Sequence, residues 1–304
     1  MKKGDYYRSN EFLCKKHHIY ISPSTFSYQN WGDNILWKSE NDRRLINLLK
    51  ESKRDKGKGF RSERSEDAVT WNVFRYLENN NLLETTLTQI TGSPQKTAKP
   101  YYWGIRPKGG VYKLLEEARE TFEQVSSGHR SEPDLIIETE ESLFVVEAKI
   151  LASNNPPPSD PDVVRNKYES NSERWFSKVF RDDFNKIALE KRFYQLMRHW
   201  LLGSWMANEI NHKFYLINLV LESKEVNIES QFGSLIIESE KMKFKKFKRF
   251  TWESIYQIVK KSDSINKSSI LNYFEGKTIG YTENKKLQLG SLKRAFNLSD
   301  LSAY

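Results

Sequence analysis

The sequence has almost no cysteine, because Cys14 is the only one in 304 residues. An intrachain disulfide and a zinc site built from several cysteines are therefore excluded. The sequence also lacks a run of eighteen apolar residues that would predict a membrane-spanning helix, and its N-terminus has no charged-then-apolar secretory signal. These features predict a soluble protein of the reducing cytoplasm.

Two kinds of catalytic motif are also missing. There is no Gly-rich loop of the nucleotide-triphosphatase kind, so an ATP-driven step would need a partner. The five histidines include no His-x-x-x-His or His-Glu-x-x-His spacing. His129 precedes Asp134 by five residues, and it is either a general base or phosphate contact, or an exposed loop histidine without a role.

Positive charge is in excess, since 49 lysines and arginines against 40 aspartates and glutamates give a net charge of +9. Such an excess favours encounter with a polyanion, although it does not specify fold or chemistry. A chain of 304 residues can form one large domain or two modest ones. The composition therefore predicts a globular protein with a polyanionic partner.

The basic residues are dense in residues 241–250, KMKFKKFKRF, where six lysines and arginines are interleaved with apolar side chains. Such a segment can contact a phosphate backbone. The candidate contacts are Lys243, Lys245, Lys246, Lys248 and Arg249. The alternative is an amphipathic edge strand, whose outward lysines discourage aggregation. A second basic stretch, residues 50–64, is typical of a loop that closes over nucleic acid.

The most informative pattern is Pro-Asp at residues 133–134, followed after twelve residues by Glu-Ala-Lys at 147–149. Between them, residues 135–138 and 143–146 are rich in branched and aromatic side chains, and each run is too short for a helix. The pattern predicts two antiparallel strands joined by a polar turn.

The register of this hairpin decides which side chains meet. If Glu140 and Glu141 form the turn, Asp134 lies opposite Glu147, and the two-residue alternation of a strand puts Lys149 on the same face. Glu-Glu is poor chemistry for a two-residue turn, so a register slip by one residue is the alternative.

Two carboxylates and an amine at the end of an apolar hairpin are costly to bury unless a cation and hydrogen bonds compensate them. Carboxylates with open coordination positions suit Mg²⁺, which keeps several waters. Lys149 could then orient or deprotonate the attacking water. The alternative makes Asp134 a turn residue, and Glu147 and Lys149 an ion pair on a solvated strand face.

The flanking segments predict further elements. A stripe of apolar residues makes residues 65–77 a helix, and residues 183–206 read as one long helix before a buried strand at 213–221. Residues 101–105 are the candidate for an earlier strand. Other helices are predicted at 41–50, 111–125 and 292–297.

This order of elements, with Pro133, Asp134, Glu147, Ala148 and Lys149 at the motif, resembles the PD-(D/E)xK nuclease superfamily. The resemblance implies an α/β, restriction-endonuclease-like core, a central mixed sheet flanked by helices. The predicted divisions are an N-terminal extension, the core and a C-terminal α/β extension with the basic segment, at residues 1–60, 61–222 and 223–304.

The resemblance also implies roles for single residues. Asp134, Glu147 and the Ala148 carbonyl would bind the metal, and Lys149 would serve the water and the transition state. Two helices would assist, through Glu66 and Gln195. Alternatively, Glu66 is only a favourable first-turn acid behind an N-cap at Ser65, with Glu63 as a substitute ligand, and Gln195 is an ordinary helix-surface residue.

The implied function is a Mg²⁺-dependent nuclease, in which Mn²⁺ substitutes, acting on DNA rather than RNA in a prokaryotic defence or restriction role. The alternative is a catalytically silent or partner-activated module of the same fold that binds nucleic acid. A homodimer and an activating partner or ligand are further expectations, because double-strand cutting usually needs two active centres.

Overall fold

The computed structural model describes residues 10–51, 59–106, 110–123, 130–158, 160–169, 173–237, 244–282 and 291–298. Its internal contacts divide the chain into two compact units, residues 1–83 with 252–304 (the terminal unit) and residues 84–251 (the central unit). The divisions predicted at residues 60 and 222 stay predictions.

The strands, in chain order, are β1 (Leu13–Cys14), β2 (Ile19–Ile21), β3 (Phe26–Tyr28), β4 (Lys99–Tyr102), β5 (Leu135–Glu138), β6 (Ser142–Ala148), β7 (Lys213–Val220), β8 (Lys245–Thr251), β9 (Thr278–Tyr281) and β10 (Leu292–Arg294). The helices are α1 (Glu40–Glu51), α2 (Glu66–Asn79), α3 (Leu83–Thr91), α4 (Lys113–Glu123), α5 (Pro161–Glu169), α6 (Glu173–Val179), α7 (Tyr194–Glu209), α8 (Ile228–Gly233), α9 (Trp252–Lys261) and α10 (Lys267–Gly276). Among the described residues, no helix combines the length and apolar character needed to cross a membrane.

The terminal unit contains a small antiparallel sheet, β1–β2–β3, a two-stranded sheet of β9 and β10, and four helices in its described part. Helix α2 starts where the sequence predicts, because the Ser65 side chain accepts a hydrogen bond from the Ala68 N–H at 3.0 Å. The predicted helix at 292–297 was wrong. Its first residues form β10, where pairing with β9 supplies backbone partners that one short helical turn would lack.

The central unit is built on a five-stranded mixed sheet in the order β4-β5-β6-β7-β8. Strands β4, β5 and β6 are antiparallel, whereas β6, β7 and β8 run parallel. The chain returns from β6 to β7 through α5, α6 and α7, as a parallel connection requires. This helix-flanked mixed sheet is the predicted restriction-endonuclease-like fold.

The apolar core of the central unit lies between α7 and one face of the sheet. Leu143 and Val145 of β6 and Leu216 of β7 pack in one cluster with Leu196 and Trp200 of α7. Because strand side chains alternate between faces, Glu147, two residues after Val145, continues this α7-facing row. The packing of the core therefore places the Glu147 side chain, at the end of β6, on the side of the sheet that faces α7.

The predicted helix over residues 183–206 is interrupted. A π-helical segment covers Asn185–Glu190, and α7 begins only at Tyr194. Arg192 between them has φ +60°, a left-handed conformation that an α-helix interior does not accept. The break places Gln195 in the first turn of α7. The periodicity of the sequence does not reveal this helix break, because apolar residues continue on both sides of it.

The predicted strand at 101–105 was partly wrong, since β4 ends at Tyr102. Trp103 and Gly104 have φ +49° and +83°, so the chain turns there. Residues 245–251 form β8 at the edge of the described five-stranded sheet, the edge position that the amphipathic alternative predicted, although Lys245 is buried rather than outward-facing.

Candidate active site

The β5–β6 hairpin has the register in which the acidic residues face each other. Leu135 pairs with Val146, so the next pair outward is Asp134 opposite Glu147. The turn residue Thr139 caps the loop, since its side chain accepts a hydrogen bond from the Ser142 N–H at 3.1 Å. A slip by one residue is therefore excluded, and Glu-Glu is tolerated because the loop is longer than two residues.

Asp134 is half-buried and held in place by two neighbours. One carboxylate oxygen, Oδ2, accepts from the Ala148 N–H at 2.9 Å, and the other, Oδ1, accepts from Trp103 Nε1 at 3.3 Å. The Asp134 carbonyl accepts from the Trp103 N–H at 3.1 Å. Trp103 is only 3% exposed, so it supports the site from the core and is not placed to stack on a base.

Glu147 lies at the centre of the cluster and is 1% exposed. Its Oε1 accepts from Lys149 Nζ and from Gln195 Nε2, each at 2.5 Å. The structure therefore brings Glu147, Lys149 and Gln195 together, with Asp134 on the adjacent strand. Their catalytic roles stay predictions.

His199 is a member of the cluster that the sequence analysis missed. It is 1% exposed, and its Nδ1 lies 3.1 Å from Glu147 Oε2. Gln195 and His199 are four residues apart on α7, so they share one helix face. That spacing was the available signal. The histidine nearest the motif in the sequence, His129, lies outside the described residues.

The surroundings of Glu147 keep it charged. Burial alone would raise the pKa of this carboxyl, but the neighbouring Lys149 and His199 lower the pKa to about 2. At neutral pH the site therefore presents a carboxylate.

The donor set of the site fits a hydrated divalent ion. Asp134 and Glu147 supply carboxylate oxygens, the ligands that Mg²⁺ prefers. Glu147 Oε2 is buried and accepts no well-aligned hydrogen bond from the described residues, which leaves a lone pair for a cation. Among the described residues there is no group of three or more His, Cys, Asp or Glu side chains placed to hold a metal, so waters would complete the shell.

Glu66 is the first residue of α2 and belongs to the terminal unit, whereas the cluster around Glu147 belongs to the central unit. Ser65 is the N-cap of that helix, as in the alternative interpretation. The role of Glu66 as a metal ligand stays a prediction. The substitute, Glu63, has both oxygens engaged, by Lys277 and Thr278.

The side chain of Lys245, the first residue of β8, points into the protein. It is 7% exposed, and its Nζ lies 4.4 Å from the centroid of the Trp175 ring. Burial and the nearby Lys178 lower the pKa of Lys245 to about 8. Lys243 lies outside the described residues.

The other basic candidates on β8 also have partners within the protein. Lys248 Nζ lies 3.1 Å from Glu229 Oε1, and Lys246 Nζ lies 6.0 Å from the Phe244 ring centroid. Arg249 donates to backbone carbonyls of the turn after β7, those of Leu221, Glu222 and Lys224. Arg249 thus fixes this turn, and nucleic-acid binding by the segment stays a prediction.

A mixed sheet with an aspartate on one hairpin strand, Glu-x-Lys on the next and a glutamine on the crossover helix defines the restriction-endonuclease-like, PD-(D/E)xK class of protein. Residues 3–277 match the family described as "Restriction Endonuclease associating with ARP". The chain belongs to this family. No curated protein and no solved structure matches it.

Proposed function

We propose that the protein is a Mg²⁺-dependent endonuclease that hydrolyses phosphodiester bonds, with DNA as substrate and Mn²⁺ as an effective substitute ion. The observation that carries the proposal is the buried Glu147 carboxylate, in contact with Lys149 and Gln195 and adjacent to Asp134. An ordinary structural ion pair does not require a second carboxylate and an amide at the same strand end.

Each residue has a distinct task in this proposal. Asp134 and Glu147 would hold the ion, together with the Ala148 carbonyl. When bound, Mg²⁺ supplies the positive charge that acidifies a water molecule and neutralises the phosphate. Lys149, positioned by Glu147, donates to the attacking water or to the phosphate oxygen that gains charge. Gln195 orients the water.

The biological setting belongs to the same proposal. The family is described by its association with ARP, which makes ARP the proposed partner. Nuclease activity with such a partner suits a cytoplasmic role in prokaryotic defence, and two copies of the chain would supply the two centres that a double-strand cut needs.

Substitution of Lys149 tests the proposal. Wild type, Lys149→Ala and Glu147→Gln are incubated with plasmid, linear DNA, single-stranded DNA and RNA, in Mg²⁺, Mn²⁺ or EDTA. We expect metal-dependent cutting of DNA by the wild type and a loss of roughly 100-fold or more in both variants, because each removes a group from the reacting centre.

The matched control is Lys186→Ala, which removes the same charge from an exposed pair with Glu190. It should cut like the wild type. Undiminished cutting by Lys149→Ala would overturn the assignment of the site. No cutting by the wild type, alone or with ARP, would favour the catalytically silent module.

A further inference from the structure

Arg198 lies beside the site and contacts Tyr194. It follows Gln195 by three residues on α7, so the two side chains are neighbours on the helix surface. Its guanidinium carbon lies 4.6 Å from the centroid of the Tyr194 ring. The Nε atom is buried and has no hydrogen-bond partner among the described residues. A buried guanidinium N–H without an acceptor in the protein is unusual and can donate to an anion.

The carboxylates around Arg198 also accept hydrogen bonds from other groups. Glu123 accepts from the Tyr168 hydroxyl at 2.8 Å and from the Ser131 N–H at 2.9 Å. The Oε1 atom of Glu147 accepts from Lys149 and Gln195. Burial lowers the pKa of Arg198, but the neighbouring phenols and carboxylates raise it overall, so the side chain stays a cation. Arg198 therefore has opposite charge in its surroundings and an N–H that no described protein group accepts.

A second cation lies in the same cluster. Lys167 Nζ is 3.9 Å from Glu123 Oε1, a long ion pair, and 5.3 Å from the centroid of the Tyr168 ring. Arg198 acts on it as a like charge. Arg198 and Lys167 are thus two cations close to one another and beside the carboxylates of Glu123 and Glu147. Two cations at one place can bind a phosphate together.

We propose that Arg198, assisted by Lys167, binds a backbone phosphate of the nucleic acid next to the phosphate that is hydrolysed. This inference rests on the proposed nuclease function and extends it to substrate positioning. The planar guanidinium presents paired N–H donors that match two phosphate oxygens, whereas Lys167 contributes a point charge. Together they would set which phosphodiester reaches Glu147 and Lys149.

The test is equilibrium binding of a short DNA duplex in EDTA, where no cutting occurs, over a series of salt concentrations. We expect Arg198→Ala to weaken binding about 10- to 100-fold. The slope of log affinity against log salt should fall by about one, the value for one lost phosphate contact. Arg198→Lys keeps the charge but loses the planar pair of N–H donors. It should therefore keep the salt slope and bind DNA several-fold more weakly.

Arg44→Ala is the matched control, because Arg44 is an exposed arginine of α1 in the terminal unit. It should change neither affinity nor slope. Circular dichroism tests whether each variant is folded. If folded Arg198→Ala binds DNA with wild-type affinity, the inference is overturned and the nuclease proposal stays intact. If Arg198→Ala does not fold, the same conclusion follows from wild-type affinity in Arg198→Lys. Absence of binding by the wild type to DNA and RNA would overturn both.

Discussion

The carboxylate of Glu147 is almost fully removed from water, with Lys149 Nζ 2.5 Å from one oxygen and His199 Nδ1 3.1 Å from the other. Such a group is stable only while its partners are present, because a buried charge without a partner is penalised by several kcal/mol. The same partners make Glu147 a strong acceptor at neutral pH. At the scale of single residues, structural and proposed catalytic roles therefore coincide in one side chain.

This coupling predicts a pH dependence of stability. The pKa of Glu147 is lowered from 4.5 to about 2, so its contribution is complete above pH 4.5 and is lost as the pH falls towards 2. The free energy of unfolding of the wild type, relative to Glu147→Gln, should decrease by roughly 3 kcal/mol over that range. Urea denaturation at a series of pH values measures it.

The control for this prediction is Glu190→Gln, which neutralises an exposed glutamate. Its difference from the wild type should stay nearly constant with pH, because exposed ion pairs contribute little. If Glu147→Gln behaves in the same way, the ion pair around Glu147 does not form in solution.

At the scale of secondary-structure elements, the contact between α7 and the sheet sets the distance across which Gln195 and His199 reach Glu147. Gly203 makes this contact. A Cβ atom at that position would overlap the ring of Phe214 and lie 3.1 Å from Cγ2 of Val145. Glycine therefore permits a close approach of α7 to β6 and β7.

Gly203→Ala should consequently destabilise the protein by about 1–3 kcal/mol, although alanine is the better helix former, because the core must repack around the added methyl group. Urea denaturation measures the change. We also expect weaker cutting, since α7 carries Gln195 and His199.

Gly233→Ala supplies the comparison, because a Cβ there meets nothing within 4 Å. It should leave stability unchanged or raise it by at most about 1 kcal/mol. Equal effects of the two substitutions would show that Phe214 moves aside easily and that Gly203 does not set the spacing.

At the scale of the whole molecule, the two ends of the chain contribute to the same terminal unit. Glu63 and Lys277 form a buried pair at 3.2 Å, each 3% exposed. Asn34 Oδ1 also accepts from Lys277 Nζ at 2.9 Å, and Tyr28 donates to Glu63 at 3.0 Å. Burial lowers the pKa of Lys277, and Glu63 opposes this effect. The C-terminal segment is thus part of the polar core of the N-terminal segment.

Lys277→Met should therefore destabilise the terminal unit by about 3–5 kcal/mol, because Glu63 would remain buried without its cation. Tryptophan fluorescence during urea denaturation reports this loss, since Trp37 and Trp71 lie in that unit. The double variant Glu63→Leu with Lys277→Met should recover part of the stability. A single variant as stable as the wild type would show that water reaches Glu63.

Much of the central unit could be predicted from local pattern. Two-residue alternation and strand length identified the β5–β6 hairpin, and the buried run at 213–220 identified β7. The predictions that were wrong concern features that depend on the backbone conformation of one residue or on a strand partner distant in sequence. The helix break needs a positive φ at Arg192, and β10 exists only through pairing with β9.

By itself, the sequence determined the class of protein, because spacing along one hairpin sets which of Asp134, Glu147 and Lys149 share a face. The tertiary structure decided what surrounds them. It placed His199 and Gln195 against Glu147 and turned Lys245 inward onto Trp175. Residues far apart in sequence meet only when α7 packs on the sheet. This packing depends on the shape of the whole core, which the local periodicity of apolar residues does not specify.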